Sequence, residues 1–392
     1  MYSCMERSGH PPPVWQKMSH TILPAEVLFG TWIETPSEAL LKAKERISEL
    51  EAIKRWELVK KMVNPYEIVY THEDRLFHPS IALIKPLSRS YFKMIEMMHV
   101  LQFFETFPKQ SKIRSAHVAE GPGGFIQALV ELCERNKKSL SSVTAMTLKA
   151  TDQRVPGWRR AATFLNHHRE IKLHFGVDGT GNVYNTENQN SFVKATAPGV
   201  HLFTADGGFD FSANYDIQEK CVFHLLISSA ITGLRCLLHD GVFILKIFDI
   251  FSEHTKFLIV VISLCFKEWT LYKPALSRPC SSERYFLGRG FRGLPTHVLQ
   301  TLCSLQENAA KDLYPLDISG CLTGYTAYFE NHVSTNTEGQ LKAIERAELY
   351  VEQPEQWYSK QLPIDFETSR SWCERFRIPY SQKVPSIINH SS

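Results

Sequence analysis

The sequence predicts an α/β protein in which a mostly parallel, seven-stranded sheet carries helices on both faces. Three observations lead to it. From about residue 84 to 292, short apolar runs alternate with stretches of helical periodicity, the pattern of strands joined by crossover helices. VHLFTA (200–205) and VFILKIF (242–248) are apolar enough to be central strands covered on both faces. Residues 117–129, HVAEGPGGFIQAL, run from an apolar segment through a glycine-rich turn into a helical pattern, the outline of a strand-to-helix junction.

Residues 1–34 are proline-rich and irregular. Thr35-Pro36-Ser37-Glu38 then offers a capping box with proline at the first helical position. Leu40, Ala43, Ile47, Leu50 and Leu58 follow at helical spacing, so one long amphipathic helix is expected over 36–62, ending at Asn64-Pro65. Its Lys54, Arg55, Lys60 and Lys61 suit either a solvated face that complements the helix dipole or contact with an RNA backbone. Strands are expected near 113–119, 143–149, 171–176, 200–205, 242–248, 269–273 and 283–289, and helices near 86–106, 123–137, 215–239 and 254–267. Past Gly293 the pattern weakens: 338–361 reads as a helix broken at Pro354, and SQKVPSIINHSS as a frayed tail. The chain thus divides into an N-terminal extension with an amphipathic helix (1–62), an α/β domain (63–294) and a mainly helical C-terminal extension (295–392).

A composition of 43% hydrophobic and 22% charged residues marks a globular chain, long enough for one large domain with extensions or for two domains. A net charge of +3 neither requires nor excludes nucleic acid, since a local basic surface suffices. The nine cysteines show no CxxC pair and no metal-ligand spacing, so they read as reduced, mostly buried thiols, and no metal site is expected. The N-terminal residues lack the apolar segment of a secretory signal. The longest apolar run, FLIVVISLCF (257–266), is half the about 20 residues that a membrane-spanning helix needs. The expectation is a soluble, intracellular protein with no membrane partner.

Glycines at 121, 123 and 124 would aim backbone N–H groups at a ligand. A phosphate loop needs GxxxxGK[ST], and no Lys-Ser/Thr follows; a dinucleotide site needs a third glycine, where Phe125 and Ile126 stand instead. An S-adenosylmethionine site tolerates GPGG, and so does a purely structural turn.

Four charged residues lie in the same frame. Asp206 closes an apolar strand in TADGGFDF, Lys246 sits inside the apolar FILKIFD, Glu283 opens the last strand in SRPCSSERYFLGRGF, and Lys93 lies in SRSYFKMIEM ahead of the glycine turn. In layered α/β sheets ligands bind at the carboxyl ends of strands. A lysine in an apolar strand must be paired or have its pKa lowered. Methyl transfer to a hydroxyl wants such a group, because a ribose 2′-OH is a poor nucleophile until deprotonated. A neutral lysine can take that proton if its pKa falls from about 10.4 toward roughly 7–8. Burial and a neighbouring ammonium, here Lys93, push it that way, while Asp206 and Glu283 limit the fall.

These residues resemble the Lys-Asp-Lys-Glu tetrad of FtsJ-like ribose 2′-O-methyltransferases. Within them, the chain is similar to the cap-specific mRNA 2′-O-methyltransferases of eukaryotes and large DNA viruses. The similarity runs from NPYE (64–67) through SRSYFK, AEGPGGF, AMTLK, DGTGNVY (178–184) and ADGGF to SRPCSSERY. It implies a Rossmann-like S-adenosylmethionine-dependent fold over 63–294, and Lys93, Asp206, Lys246 and Glu283 as catalytic, with Lys246 the proton acceptor. It implies cofactor contacts from Ser88, Glu120, Gly121, Pro122, Gly123, Gly124, Phe125, Asn182 and Val183, and substrate contacts from Asp216, Gln218 and Ser281. Ser88 stands where relatives often carry Asn, and Asn182 where they carry Asp. The implied partner is the capped 5′ end of mRNA, met in the nucleus or cytoplasm near RNA polymerase or other capping enzymes. Ribosomal or transfer RNA as substrate, and a catalytically silent RNA-binding subunit, are the alternatives. Asp178 reads as a turn residue, His117 as a satisfied core histidine, and Arg278 as either structural or phosphate-binding.

Overall fold

The computed structural model describes residues 12–17, 21–34, 36–71, 80–149, 157–208 and 218–383. Strands β1 (Gln16–Lys17), β2 (Leu28–Gly30), β3 (Lys112–Val118), β4 (Ser139–Met146), β5 (Ile171–Leu173), β6 (Val200–Ala205), β7 (Leu237–Ile247), β8 (Phe266–Tyr272), β9 (Arg284–Phe291) and β10 (Tyr314–Leu316) follow one another along the chain. All but β2 and β10 form a single sheet in the order β1-β8-β9-β7-β6-β3-β4-β5. From β5 across to β7 neighbouring strands are parallel, whereas β9 runs antiparallel between β7 and β8. The seven expected strands are all present, and the two-residue β1 adds an edge beside β8.

Strand alternation decides what each face of the sheet touches. Val242 and Ile244 of β7, with Leu202 and Ile113, pack on the face that holds the helices Ser90–Val100 and Gly124–Arg135. Phe243, Leu245 and Phe203 pack on the other, with the helices Gln218–Cys236 and Glu253–Ser263. Phe203 and Phe243 stack with ring centroids 5.3 Å apart. The FLIVVISLCF run falls mostly in the buried helix Glu253–Ser263 and ends at the first residue of β8. Among the described residues no helix is long and apolar enough to cross a membrane. The eight cysteines of the described residues are free thiols, with Cys221 and Cys303 exposed.

Several expectations need correction. The single helix over 36–62 is two, Glu38–Ala52 and Trp56–Met62, because Lys54 at φ 58° reverses the chain between them. Ser37 is the N-cap but its hydroxyl makes no capping bond, and Pro36 precedes the helix rather than opening it. The 86–106 helix likewise stops at Val100, where Gln102 at φ 53° starts a short turn, Phe103–Thr106. Beyond Gly293 the structure is richer than the pattern suggests, with helices Thr296–Ala309, Thr326–Glu352 and Leu362–Arg375. Gln353-Pro354 does break the second of these. Thr326–Glu352 buries few side chains along its 27 residues, chiefly where it meets the two N-terminal helices, so its apolar stripe is sparse.

The two N-terminal helices and the chain from about residue 340 onward lie against the Lys93-bearing face, while the helix Thr296–Ala309 packs on the other. Ala43, Ile47, Trp56 and Val59 join Ile344, Ala347 and Trp372 in one apolar cluster with Phe92 and Tyr285. A buried ion cluster pins the junction. Glu67, only 1% exposed, accepts from Arg89 Nη1 (2.9 Å), Arg278 Nη2 (2.8 Å) and Asn64 Nδ2 (2.9 Å). Arg89 also donates to the carbonyls of Tyr70 (2.8 Å) and Leu276 (2.7 Å). Arg278 therefore has a structural partner.

Burial pushes the Glu67 carboxyl up, yet Arg89 and then Arg278 outweigh it and bring it from 4.5 to about 2. A depressed carboxylate stabilises the fold above its unfolded pKa and loses that contribution as pH falls through the folded one. Between pH 4.5 and 2, on the order of 3 kcal/mol of unfolding free energy should disappear through this group. Glu67→Gln should lack that part of the slope in denaturant titrations at stepped pH. Equal slopes for the two proteins would mean that the cluster does not hold Glu67 ionised.

Candidate active site

Lys246 is the next-to-last residue of β7, and alternation from Ile244 turns it toward the helix Ser90–Val100. That helix brings Lys93. Asp206 follows β6, parallel to β7, and Glu283 precedes β9, whose Tyr285 lies opposite Lys246. Because β9 is antiparallel, its first residues meet the last residues of the parallel strands. The four side chains expected from the sequence therefore converge at one edge of the sheet. Lys246 Nζ lies 3.1 Å from Asp206 Oδ1 and 3.9 Å from Glu283 Oε2, and donates to the Asp206 carbonyl at 2.9 Å. Lys93 Nζ binds the other Glu283 oxygen at 2.5 Å. Tyr285 donates its hydroxyl to Asp206 Oδ1 at 2.8 Å, and Ser277 donates to Glu283 Oε1 at 2.9 Å.

The electrostatics depart from the expectation for Lys246. Burial lowers its pKa, but Asp206 and then Glu283 outweigh burial and hold it above the ordinary lysine value. Lys93 pairs with Glu283, so the expected depression by a neighbouring ammonium does not prevail. Burial would raise the Glu283 carboxyl, but Lys93 and Lys246 keep it well below the usual range.

The glycine turn sits at the carboxyl end of β3. Ala119 at φ 53° and Gly123 at φ 101° fold the chain back over Glu120. Gly124 allows close approach: a Cβ there would fall 2.2 Å from Ser88 Oγ, which brings Ser88 against the turn. Glu120 Oε1 accepts from the Phe125 N–H at 3.0 Å, and Oε2 from Thr204 at 3.2 Å. Burial and then Asp206 push its carboxyl well above the usual range. His117 bridges Thr204 (2.7 Å) and Ser115 (2.9 Å) and is pushed down to about 3 by burial, a satisfied core histidine.

Asn182 and Val183 lie beyond the carboxyl end of β4, where Gly181 at φ 68° passes so close that a Cβ would lie 2.1 Å from the Thr147 carbonyl. Asp178 builds this turn by accepting from the Thr180 N–H (2.9 Å), Asn188 (2.9 Å) and Asn185 (3.0 Å). Asn182 Oδ1 accepts from the Tyr184 N–H at 3.0 Å. The Val183 side chain is buried in the core.

Gln218 and Ser281 line one cleft of about 210 Å³, together with Lys44, Trp56, Lys60 and Arg278. Asp216 lies outside the described residues. Sequence reasoning assigned no role to Lys44, Trp56 or Tyr285. Lys44 and Trp56 sit on the N-terminal helices, whose packing beside this cleft no local pattern announces. Tyr285 is visible in SERY, but only the β7–β9 register shows that it reaches Asp206.

The Xenopus laevis cap-specific mRNA (nucleoside-2′-O-)-methyltransferase 1 is 29% identical over 366 residues, covering 85% of this chain and 40% of that protein. The Danio rerio protein of that name is 27% identical over 319 residues, 73% of this chain and 37% of that one. The Trypanosoma cruzi protein is 28% identical over 265 residues, 64% of this chain and 71% of that one. The chain spans about two fifths of the length of these vertebrate relatives. The profile of the FtsJ-like methyltransferases matches residues 86–291, just over half of the chain and the whole of the sheet from β3 to β9, and the chain belongs to that family.

Proposed function

We propose that this protein transfers a methyl group from S-adenosylmethionine to the ribose 2′-OH of a cap-proximal nucleotide of capped mRNA. The observation that carries the reaction type is the buried Lys246 amine held between Asp206 and Glu283 at the strand ends. The names of the relatives support the capped substrate. In this reading residues 63–294 are the methyltransferase domain, and the protein works where capped transcripts are made, beside polymerase or other capping enzymes.

S-adenosylmethionine is the methyl donor of the family, and the residues here fit it. Ser88, Glu120, the 121–125 turn, Asn182 and Val183 offer backbone N–H groups, amide and hydroxyl dipoles and a carboxyl, and no cation. Such a set places no positive charge against a sulfonium. The cofactor supplies an electrophilic methyl group. Everything else falls to the chain. Lys246 Nζ, once neutral, accepts the 2′-OH proton, and Asp206 and Glu283 receive the resulting ammonium in place. Lys93 keeps Glu283 ionised and fixed. Gly208 leaves the approach to Lys246 open, since a Cβ there would lie 3.6 Å from Nζ and 3.2 Å from the Phe248 ring. In this reading the cleft lined by Lys60, Gln218 and Ser281 receives the RNA, with Trp56 and Ile47 forming its wall, while Lys44 and Arg278 are held by Asp249 and Glu67. Asp216, for which substrate contact is proposed, belongs to the same reading.

Incubation with labelled S-adenosylmethionine should label the ribose of a cap-proximal nucleotide in cap-0 RNA, and neither uncapped nor ribosomal RNA. Equal labelling without a cap would overturn the cap assignment, and label on a base would overturn the reaction. Lys246→Ala should lower turnover by roughly 10²–10⁴-fold while cofactor affinity, read by calorimetry, stays within about twofold. Loss of cofactor binding would make Lys246 structural instead.

Because the free protein holds Lys246 protonated, its neutral fraction should grow with pH. The single-turnover rate should climb about tenfold per pH unit between about pH 6.5 and 8.5. A flat profile would remove proton loss from Lys246 from the rate-determining path.

A further inference from the structure

Glu283 stands at the end of a turn that begins at Lys273, directly after β8. Lys273 Nζ donates to two carbonyls of that turn, Ser281 O and, at 3.2 Å, Glu283 O. The Ser277 hydroxyl also reaches the Glu283 carbonyl at 3.2 Å, and Ser281 Oγ accepts from the Glu283 N–H at 3.2 Å. The backbone of Glu283 is thus held on both sides before its carboxylate meets Lys93 and Lys246.

The start of the same turn is tied to the helix that carries Lys93. Glu96, one helical turn beyond Lys93 and 2% exposed, accepts from the Tyr272 hydroxyl (2.5 Å) and the Ala275 N–H (2.9 Å) through Oε1. Its Oε2 accepts from Trp372 Nε1 (2.9 Å), on the helix Leu362–Arg375 of the C-terminal region. One continuous set of bonds therefore runs from Trp372 through Glu96 and the 272–275 backbone to Lys273 and on to Glu283.

We propose that Lys273 is a positioning residue for the methyl-transfer site, holding Glu283 in register with Lys93 and Lys246 through two backbone carbonyls, with Glu96 and Trp372 anchoring the turn from which it acts. The turnover part of this proposal rests on the methyl-transfer reading; the positioning part does not. Burial, then Arg284, brings the Lys273 amine down to about 7, with Glu283 opposing. Either protonation state keeps N–H donors for the two carbonyls, so the tether survives across that range.

Lys273→Met removes the donors and keeps the apolar stem. Its turnover on cap-0 RNA should fall about ten- to hundredfold, with KM for S-adenosylmethionine and RNA within about twofold. Lys273→Arg, which can still donate to both carbonyls, should recover most of the loss. Trp372→Phe should give a smaller fall in kcat of the same kind. Unchanged kcat in Lys273→Met, or an equal loss in Lys273→Arg, would overturn the proposal. A crystal structure of Lys273→Met is expected to show the Lys93–Glu283 pair opened from 2.5 Å, and an unmoved pair overturns the proposal whatever the protein methylates. Should Lys273→Met fail to fold, Ser277→Ala tests the same tether from its other side, with kcat falling and KM kept; an unchanged kcat there counts against it. An unmodified protein inactive on every RNA would defeat the functional reading alone and leave the structural arm to decide this one.

Discussion

An ammonium in an apolar strand is the constraint around which the strand ends are arranged. Lys246 has lost much of its water, and an uncompensated charge there would cost several kcal/mol. Asp206 and Glu283 supply the compensation, and each needs its own support. Tyr285 binds Asp206 from the strand opposite, and Lys93 and Ser277 bind Glu283 from a helix and a turn. The antiparallel insertion of β9 between β7 and β8 brings Tyr285 and Glu283 to that edge together.

The helical layers on the Lys93 face follow from the same demand. A catalytic pair needs its partners held to within a fraction of an ångström, and loops alone do not provide that. Here the two N-terminal helices meet Thr326–Glu352 and Leu362–Arg375 over Phe92 and Trp372, and the Glu67 and Glu96 carboxylates lock loops to helices beneath them. The chain segments farthest apart in sequence thereby become one wall beside the site.

How much of this was legible in the sequence follows from the range of the forces involved. Central strands such as VHLFTA declare themselves, because burial on both faces leaves a continuous apolar run. Lys246 was legible for the opposite reason, as a charged exception in such a run, and Asp206, Glu283 and Lys93 through the motifs around them. The break at Lys54 was not, since a left-handed residue that is not glycine carries no compositional mark. Of the helix Thr326–Glu352 only the second half was, because its burial is spread thinly over its contact with the N-terminal helices. The upward shift at Lys246 escaped too: neighbouring charges of both signs were visible, but their balance depends on distances of 3.1 and 3.9 Å that no spacing in the chain encodes.

Two lysines and two carboxylates interlock at the strand ends, so the cluster carries no net charge when all four are ionised. It can therefore do little to draw in a polyanion. In the proposed reading, attraction for the RNA comes from elsewhere: Lys60 lines the cleft, where Lys44 and Arg278 are already paired with Asp249 and Glu67. In that reading recruitment and chemistry fall to separate charges, and the four interlocked side chains are only 13–14% exposed. Rising ionic strength should then loosen the grip on the substrate long before it disturbs the step that follows.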